Sequence, residues 1–418
     1  MLVGLLAGGC SPPWADDAPP VEIPPMPGGE QTNTEQAAVD IYWDATFSMQ
    51  GYTTIQEQNA YRSLPDNLED IGTSIGETKF FAFGENIKPL EGRSHRQFME
   101  SSFYGEVITA IHNVVQNANL DHLSIVVTDL FESDADWSIL AKQIKDKYFA
   151  AHRSVAIIGV KNPFAGDIFD VGYKDHSKIY YDSGADKNKF RPFYMVLMGP
   201  DKDVRTFIAR WKARSASPAN EMQYLLLTEN LVDNVPSLSN MNIVQSDNFY
   251  PDQSVDLSDS RMTEYGINSK SDLAALEARF VVQPSDDVCK INAFNTRARV
   301  LALEDGEWKE QPSGKEIKME LNQSDENSSE YAWKLSFYAA RALKPDSINL
   351  VEAVVTPSRD GFELPDWVNA WSMNTNDSQM QFDGSKTINF QKFASSLKDS
   401  AMDAMRPSVA NIFMLIKN

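Results

Sequence analysis

The sequence predicts an α/β fold, a doubly wound, mostly parallel six-stranded sheet, followed by a smaller antiparallel β-sandwich-like domain. Three observations carry this reading. From about residue 38, short β-rich runs alternate with longer stretches whose apolar residues recur at helical spacing, the order of a parallel sheet covered on both faces. Beyond residue 270, strand-like runs follow one another across polar turn clusters with no helix between them, as in a sandwich. Finally, 418 residues with 42% in the hydrophobic set hold enough apolar surface for more than one core.

Taken in chain order, Leu2 to Cys10 is a short apolar stretch with small residues just before a cysteine, and residues 1–10 read as the end of a truncated signal peptide. Residues 11–33 hold seven of the 21 prolines, four acids and no Lys or Arg. Such a segment cannot bury a core and reads as an extended tether. The first domain, 34–232, has strand candidates at Ala38 to Trp43, Thr78 to Phe83, Leu123 to Thr128, Ser154 to Val160, Pro192 to Met198 and Met222 to Leu227. Helical stretches lie around Thr54 to Ile75, Glu106 to Asn117, Trp137 to Ala151 and Asp201 to Ala213. Residues 233–270, rich in Ser, Asn and Asp with weak periodicity, read as a linker. In 271–418, strands are predicted at Ala278 to Gln283, Lys290 to Phe294, Arg297 to Leu303, Glu316 to Leu321, Ala332 to Ala339 and Ser347 to Thr356. A C-terminal helix over Phe390 to Met405 has an apolar stripe that should pack back on a sheet.

Charge and composition exclude several function classes. With 38 basic against 59 acidic residues the net charge is −21, a field that repels nucleic-acid backbones. No apolar run approaches the roughly 20 residues of a membrane span. Two cysteines cannot build a disulfide scaffold, and the five histidines show no grouping around acids. If Cys10 is modified, Cys289 is left alone and reads as a buried strand residue.

The most informative stretch is Val39-Asp40-Ile41-Tyr42-Trp43-Asp44-Ala45-Thr46-Phe47-Ser48-Met49-Gln50-Gly51-Tyr52. A buried first strand delivers Asp44 at its carboxyl end, the edge of an open α/β sheet where ligands bind. Thr46 and Ser48 follow at alternate positions, so three oxygen-bearing side chains can turn toward one point, the donor set a hard divalent cation wants. A second carboxylate, Asp129, ends the strand Leu123 to Thr128. The competing reading is that these residues cap helices, since Asp, Thr and Ser are favoured N-cap types. Glu132, Asp134 and Asp136 beyond Asp129 read as a solvated loop.

The Asp44-x-Thr46-x-Ser48 loop with Asp129 resembles the von Willebrand factor A domain and its metal-ion-dependent adhesion site, over roughly residues 36 to 230. The resemblance implies a Mg2+ ion, or Mn2+ or Ca2+, held by Asp44, Thr46, Ser48 and Asp129, with an open position completed by an acidic side chain of a protein partner. The family's second loop supplies a Thr before a helix. Register against Ala110-Ile111 puts Gly105 there, with Ser101 and Ser102 just upstream as substitutes. The stretch ending at Cys10 resembles a bacterial lipobox, which implies lipidation at Cys10, a lipid anchor as the only membrane contact, and a place in the cell envelope. The function expected is therefore a non-catalytic, envelope-anchored binding module. A metal-free assembly lipoprotein is the alternative. A phosphohydrolase of the haloacid dehalogenase kind is less favoured, because position 46 carries Thr where the resemblance would need a general-acid Asp.

Overall fold

The computed structural model describes residues 37–417 except 93, 131–136, 170–177, 215–220, 233–240, 258–259, 268–272, 283–288, 306, 313–315, 324–329, 374–381 and 406. Cys10, the tether 11–33 and the acidic run Glu132, Asp134 and Asp136 lie outside the described residues.

The described residues begin with β1 (Ala38–Asp44), the short helix α1 (Phe47–Gln50) and α2 (Leu64–Ile75), then β2 (Glu77–Phe83) and β3 (Ile87–Leu90). Next come α3 (Ile111–Asn117), β4 (Leu123–Thr128), α4 (Trp137–Lys147) and β5 (Ser154–Asn162). The hairpin β6 (Ala165–Ile168) and β7 (Ile179–Asp182), then β8 (Arg191–Gly199), α5 (Asp201–Arg214) and β9 (Met222–Leu227), complete this half. One seven-stranded sheet runs β3-β2-β1-β4-β8-β5-β9. Every residue of β1, β4 and β8 is buried, as a sheet covered on both faces requires. Helix α2 packs beside α5, and α3 beside α4.

The expected six-stranded, mostly parallel sheet is corrected on two points. A seventh strand, β3, adds an antiparallel edge to β2. Only β2, β1 and β4 form a contiguous parallel block; β8 is inserted antiparallel between β4 and β5, and β9 pairs antiparallel with β5. The physical reason is the connection: a parallel neighbour needs a crossover, normally a helix, and between β5 and β8 the described chain carries the β6–β7 hairpin and a single 3-10 turn instead. The sheet is mixed. The inserted strand begins at the same edge where β1 and β4 end, a placement that matters for the site.

The second half holds β10 (Asn242–Asp247), β11 (Phe249–Leu257), β12 (Ser260–Ile267), β13 (Leu273–Val281), β14 (Lys290–Ile291), β15 (Phe294–Glu304), β16 (Glu307–Glu310), β17 (Ile317–Gln323) and β18 (Glu330–Tyr338). After α6 (Ala339–Ala342) come β19 (Ile348–Pro357), β20 (Phe362–Glu363), α7 (Asp366–Ala370), β21 (Ser372–Met373), β22 (Thr387–Ile388), α8 (Phe390–Ala404) and β23 (Ala410–Lys417). A four-stranded sheet, β10-β13-β18-β17, lies with a six-stranded sheet, β11-β12-β23-β19-β15-β16. Residues 233–270 are thus not a plain linker, for they contribute three strands. Two of these, β10 and β11, are sheet edges, where polar side chains replace the alternating apolar pattern that marks a half-buried strand.

The C-terminal helix packs back on a sheet, but on the first one. Helix α8 lies along α4, with Phe393 against Trp137 and Phe390 against Tyr194 of β8. Trp371 abuts Gly159 of β5 so closely that a Cβ there would sit 2.7 Å from its ring. Trp333, Trp367 and Trp371 are core residues. Cys289 is buried, and burial pushes its thiol up to about 12, so it stays protonated.

Candidate metal centre

The site grows from the ends of two adjacent strands. β1 and β4 pair in parallel from Val39↔Leu123 to Trp43↔Val127, so the next residues of both, Asp44 and Thr128, emerge side by side at one edge. Asp44 is fully buried and accepts three hydrogen bonds: from the Thr46 amide (3.0 Å) and hydroxyl (2.7 Å) on Oδ1, and from the Thr128 hydroxyl (2.8 Å) on Oδ2. Thr46 is the N-cap residue of α1, yet its side chain does not cap the helix. Its Oγ1 lies 3.1 Å from Ser48 Oγ, and Ser48 Oγ donates to Asp129 Oδ1 at 3.2 Å. The four expected residues therefore meet in one buried polar cluster that links positions 81 residues apart.

Ser101 and Ser102 are not part of it. They sit exposed in a 3-10 turn, where the Ser101 hydroxyl pairs with Thr53 at 2.8 Å. A third hydroxyl in the cluster is that of Thr109, buried, whose Oγ1 donates to Thr46 Oγ1 at 3.2 Å. The error in the sequence register has a clear cause. Helix α3 starts at Ile111, not near Glu106, and Gly105 and Glu106 instead zip their backbone amides to the Ala45 carbonyl (3.1 and 3.2 Å) while Phe47 N donates to the Glu106 carbonyl. That backbone bridge carries the chain four residues further before a hydroxyl reaches the cluster. The signal for Thr109 was present: a Thr immediately before the apolar start Ala110-Ile111.

Arg191 escaped sequence reading altogether. As the first residue of the inserted strand β8 it enters at the edge where Asp129 sits, with Nη2 3.7 Å from Asp129 Oδ2 and both groups buried. Its Nη1 donates to the Gly384 and Lys386 carbonyls, and its guanidinium lies over the Phe164 ring. No sequence period marks such a residue, because its role depends on a strand insertion.

The electrostatics follow from burial. Asp44 is pushed up to about 7, first because its charge is desolvated and second because Asp129 is nearby, against the hydrogen bonds from Thr46 and Thr128 that favour the anion. The donor set fits a hard divalent cation: two carboxylates, three neutral hydroxyls, and buried negative charge that a bound positive charge would stabilise. Beneath the site an aromatic network fixes β1, with Trp43 Nε1 donating to Tyr61 (2.6 Å) and Tyr104 (3.2 Å), and Tyr104 OH donating to the Phe98 carbonyl (2.6 Å). Around it, Phe47, Val107 and Ile108 are exposed, Val107 at 77%, so apolar side chains flank the polar cluster on both loops. Comparisons with protein-family models, curated proteins and solved structures return no match. Among the described residues, no helix is long and apolar enough to cross a membrane.

Proposed function

We propose that the chain is a binding module of the von Willebrand factor A kind, which engages a protein partner through a divalent cation held by Asp44, Thr46, Ser48, Thr109 and Asp129, on a body tethered to a bacterial envelope through Cys10. The observation that carries this reading is the convergence of those five oxygen-bearing side chains at one sheet edge. The bound cation supplies an electrophilic position that a carboxylate of the partner can complete. The protein's part is to set the charge and hold the donors still. Asp44 and Asp129 provide two negative charges, while Thr46, Ser48 and Thr109 add neutral oxygens that leave the centre short of anionic ligands. Phe47, Val107 and Ile108 offer apolar contact around the acidic group.

A metal-free assembly protein is the second reading, and Arg191 is what favours it. Its buried guanidinium already offsets part of the Asp129 charge. Immobilised full-length chain separates the two. The binding-module reading predicts capture of a partner from envelope extract in Mg2+, release by EDTA, and no capture by Asp129→Ala. Capture that survives both chelator and substitution contradicts it.

A further inference from the structure

A second cluster of ligating side chains lies where α2 meets the 3-10 segment Ser94–Met99. Its centre is His95, only 1% exposed, with its ring stacked on Phe80 at 4.4 Å between centroids. Neither ring nitrogen has a hydrogen-bond partner among the described residues. A buried imidazole left dry at both nitrogens loses its hydration without compensation, which is uncommon in a native core. Its Nε2 nevertheless faces an acid: Glu69 Oε2 is 3.4 Å away, close but not aligned as a hydrogen bond. Glu69 and Asp66 are three residues apart on α2 and so share a face of the helix. One donor atom from each of Asp66, Glu69 and His95 lies within 4.8 Å of the other two. Asp66 Oδ1 is also buried without a hydrogen bond, with Nε of the half-exposed Arg96 side chain 3.4 Å off.

We infer that Asp66, Glu69 and His95 form a divalent metal site, suited to a borderline transition ion of the Zn2+ class and separate from the Asp44 and Asp129 centre. The ligand chemistry selects the class: an imidazole nitrogen beside two carboxylates suits zinc better than magnesium, which prefers oxygen and retained water. Two carboxylates neutralise the ion, the unpartnered Nε2 gains a ligand bond, and Arg96 is free to turn to solvent. Three protein ligands leave room for water, and the bound ion ties the Ser94–Met99 segment to α2. That segment carries Phe98, stacked at 4.3 Å on Trp43, the residue before Asp44 in β1, so the ion would act as a clasp on the wall of the first site.

Zn2+ titration of the full chain, read by calorimetry and by competition with a chromophoric chelator, tests this. One Zn2+ should bind to wild type and to Asp44→Asn/Asp129→Asn, whereas Asp66→Asn/Glu69→Gln should weaken that binding at least tenfold. Both acids are partly exposed, so this variant should keep the circular dichroism and zinc-free melting of wild type. Co2+ in place of zinc should give visible d–d bands that His95→Gln abolishes. No zinc binding to wild type, or binding unchanged in Asp66→Asn/Glu69→Gln, overturns the inference.

Discussion

Asp44 carries the heaviest electrostatic load of any residue in the first site. In the absence of a bound cation its folded value near 7 stands above the ordinary 3.8. Between about pH 4 and 7 the folded protein therefore keeps a proton that the unfolded chain has lost. The contribution to stability is complete below the unfolded value and is lost as pH rises through the folded one, by up to about 4 kcal/mol. Urea denaturation in EDTA at pH 5 and pH 8 should show wild type losing stability at the higher pH. Asp44→Asn, which cannot ionise, should lose much less, and saturating Mg2+ should restore wild type by favouring the anion. An Asp44→Asn profile that parallels wild type would argue that the shift does not govern stability.

At the scale of elements, the sheet is stapled by Asp201 at the start of α5. Its Oδ1 accepts from Ser154 of β5 (2.6 Å) and from Thr228 just past β9 (2.7 Å), and Oδ2 from Arg205 (2.9 Å) and Asn230 (3.1 Å). Burial alone would raise this carboxyl, but Arg205 and the three neutral donors together hold it below its ordinary value. Its stabilisation is present above the unfolded value and fails as pH falls through the folded one. Asp201→Ala should cost about 2–4 kcal/mol by leaving four donors without their acceptor. A loss under about 1 kcal/mol in chemical denaturation would contradict the staple. Strands with continuous apolar runs, such as β1, β4 and β8, were legible in the sequence because burial on both faces dictates composition. Direction was not legible: nothing in Pro192 to Met198 says that it runs antiparallel, because direction is set by the connection before it. Asp44, Thr46, Ser48 and Asp129 could be found from strand ends and spacing. Thr109 was displaced by a helix start misread by five residues, and Arg191 depended on topology alone.

On the scale of the whole molecule, the last 55 residues belong to both halves. Helix α8 covers the first sheet at Trp137 and Tyr194, and β23 sits between β12 and β19 in the second. Arg191 bonds to carbonyls at Gly384 and Lys386, so the site itself is buttressed from this segment. A chain ending at Glu363 should lose cooperative melting in calorimetry and bind a hydrophobic dye, because it uncovers the first sheet and removes an inner strand of the six-stranded sheet, and both pack into one continuous core. Retention of a sharp two-state transition would show that the halves stand independently. Five oxygens from three loops are proposed to hold one hard cation, and calorimetric titration with Mg2+ and Mn2+ measures that binding. One ion should bind to wild type, not to Asp44→Ala, weakly to Thr109→Ala, and as in wild type to Ser101→Ala. Absence of heat with wild type, or binding indifferent to Asp44 and Thr109, would contradict it.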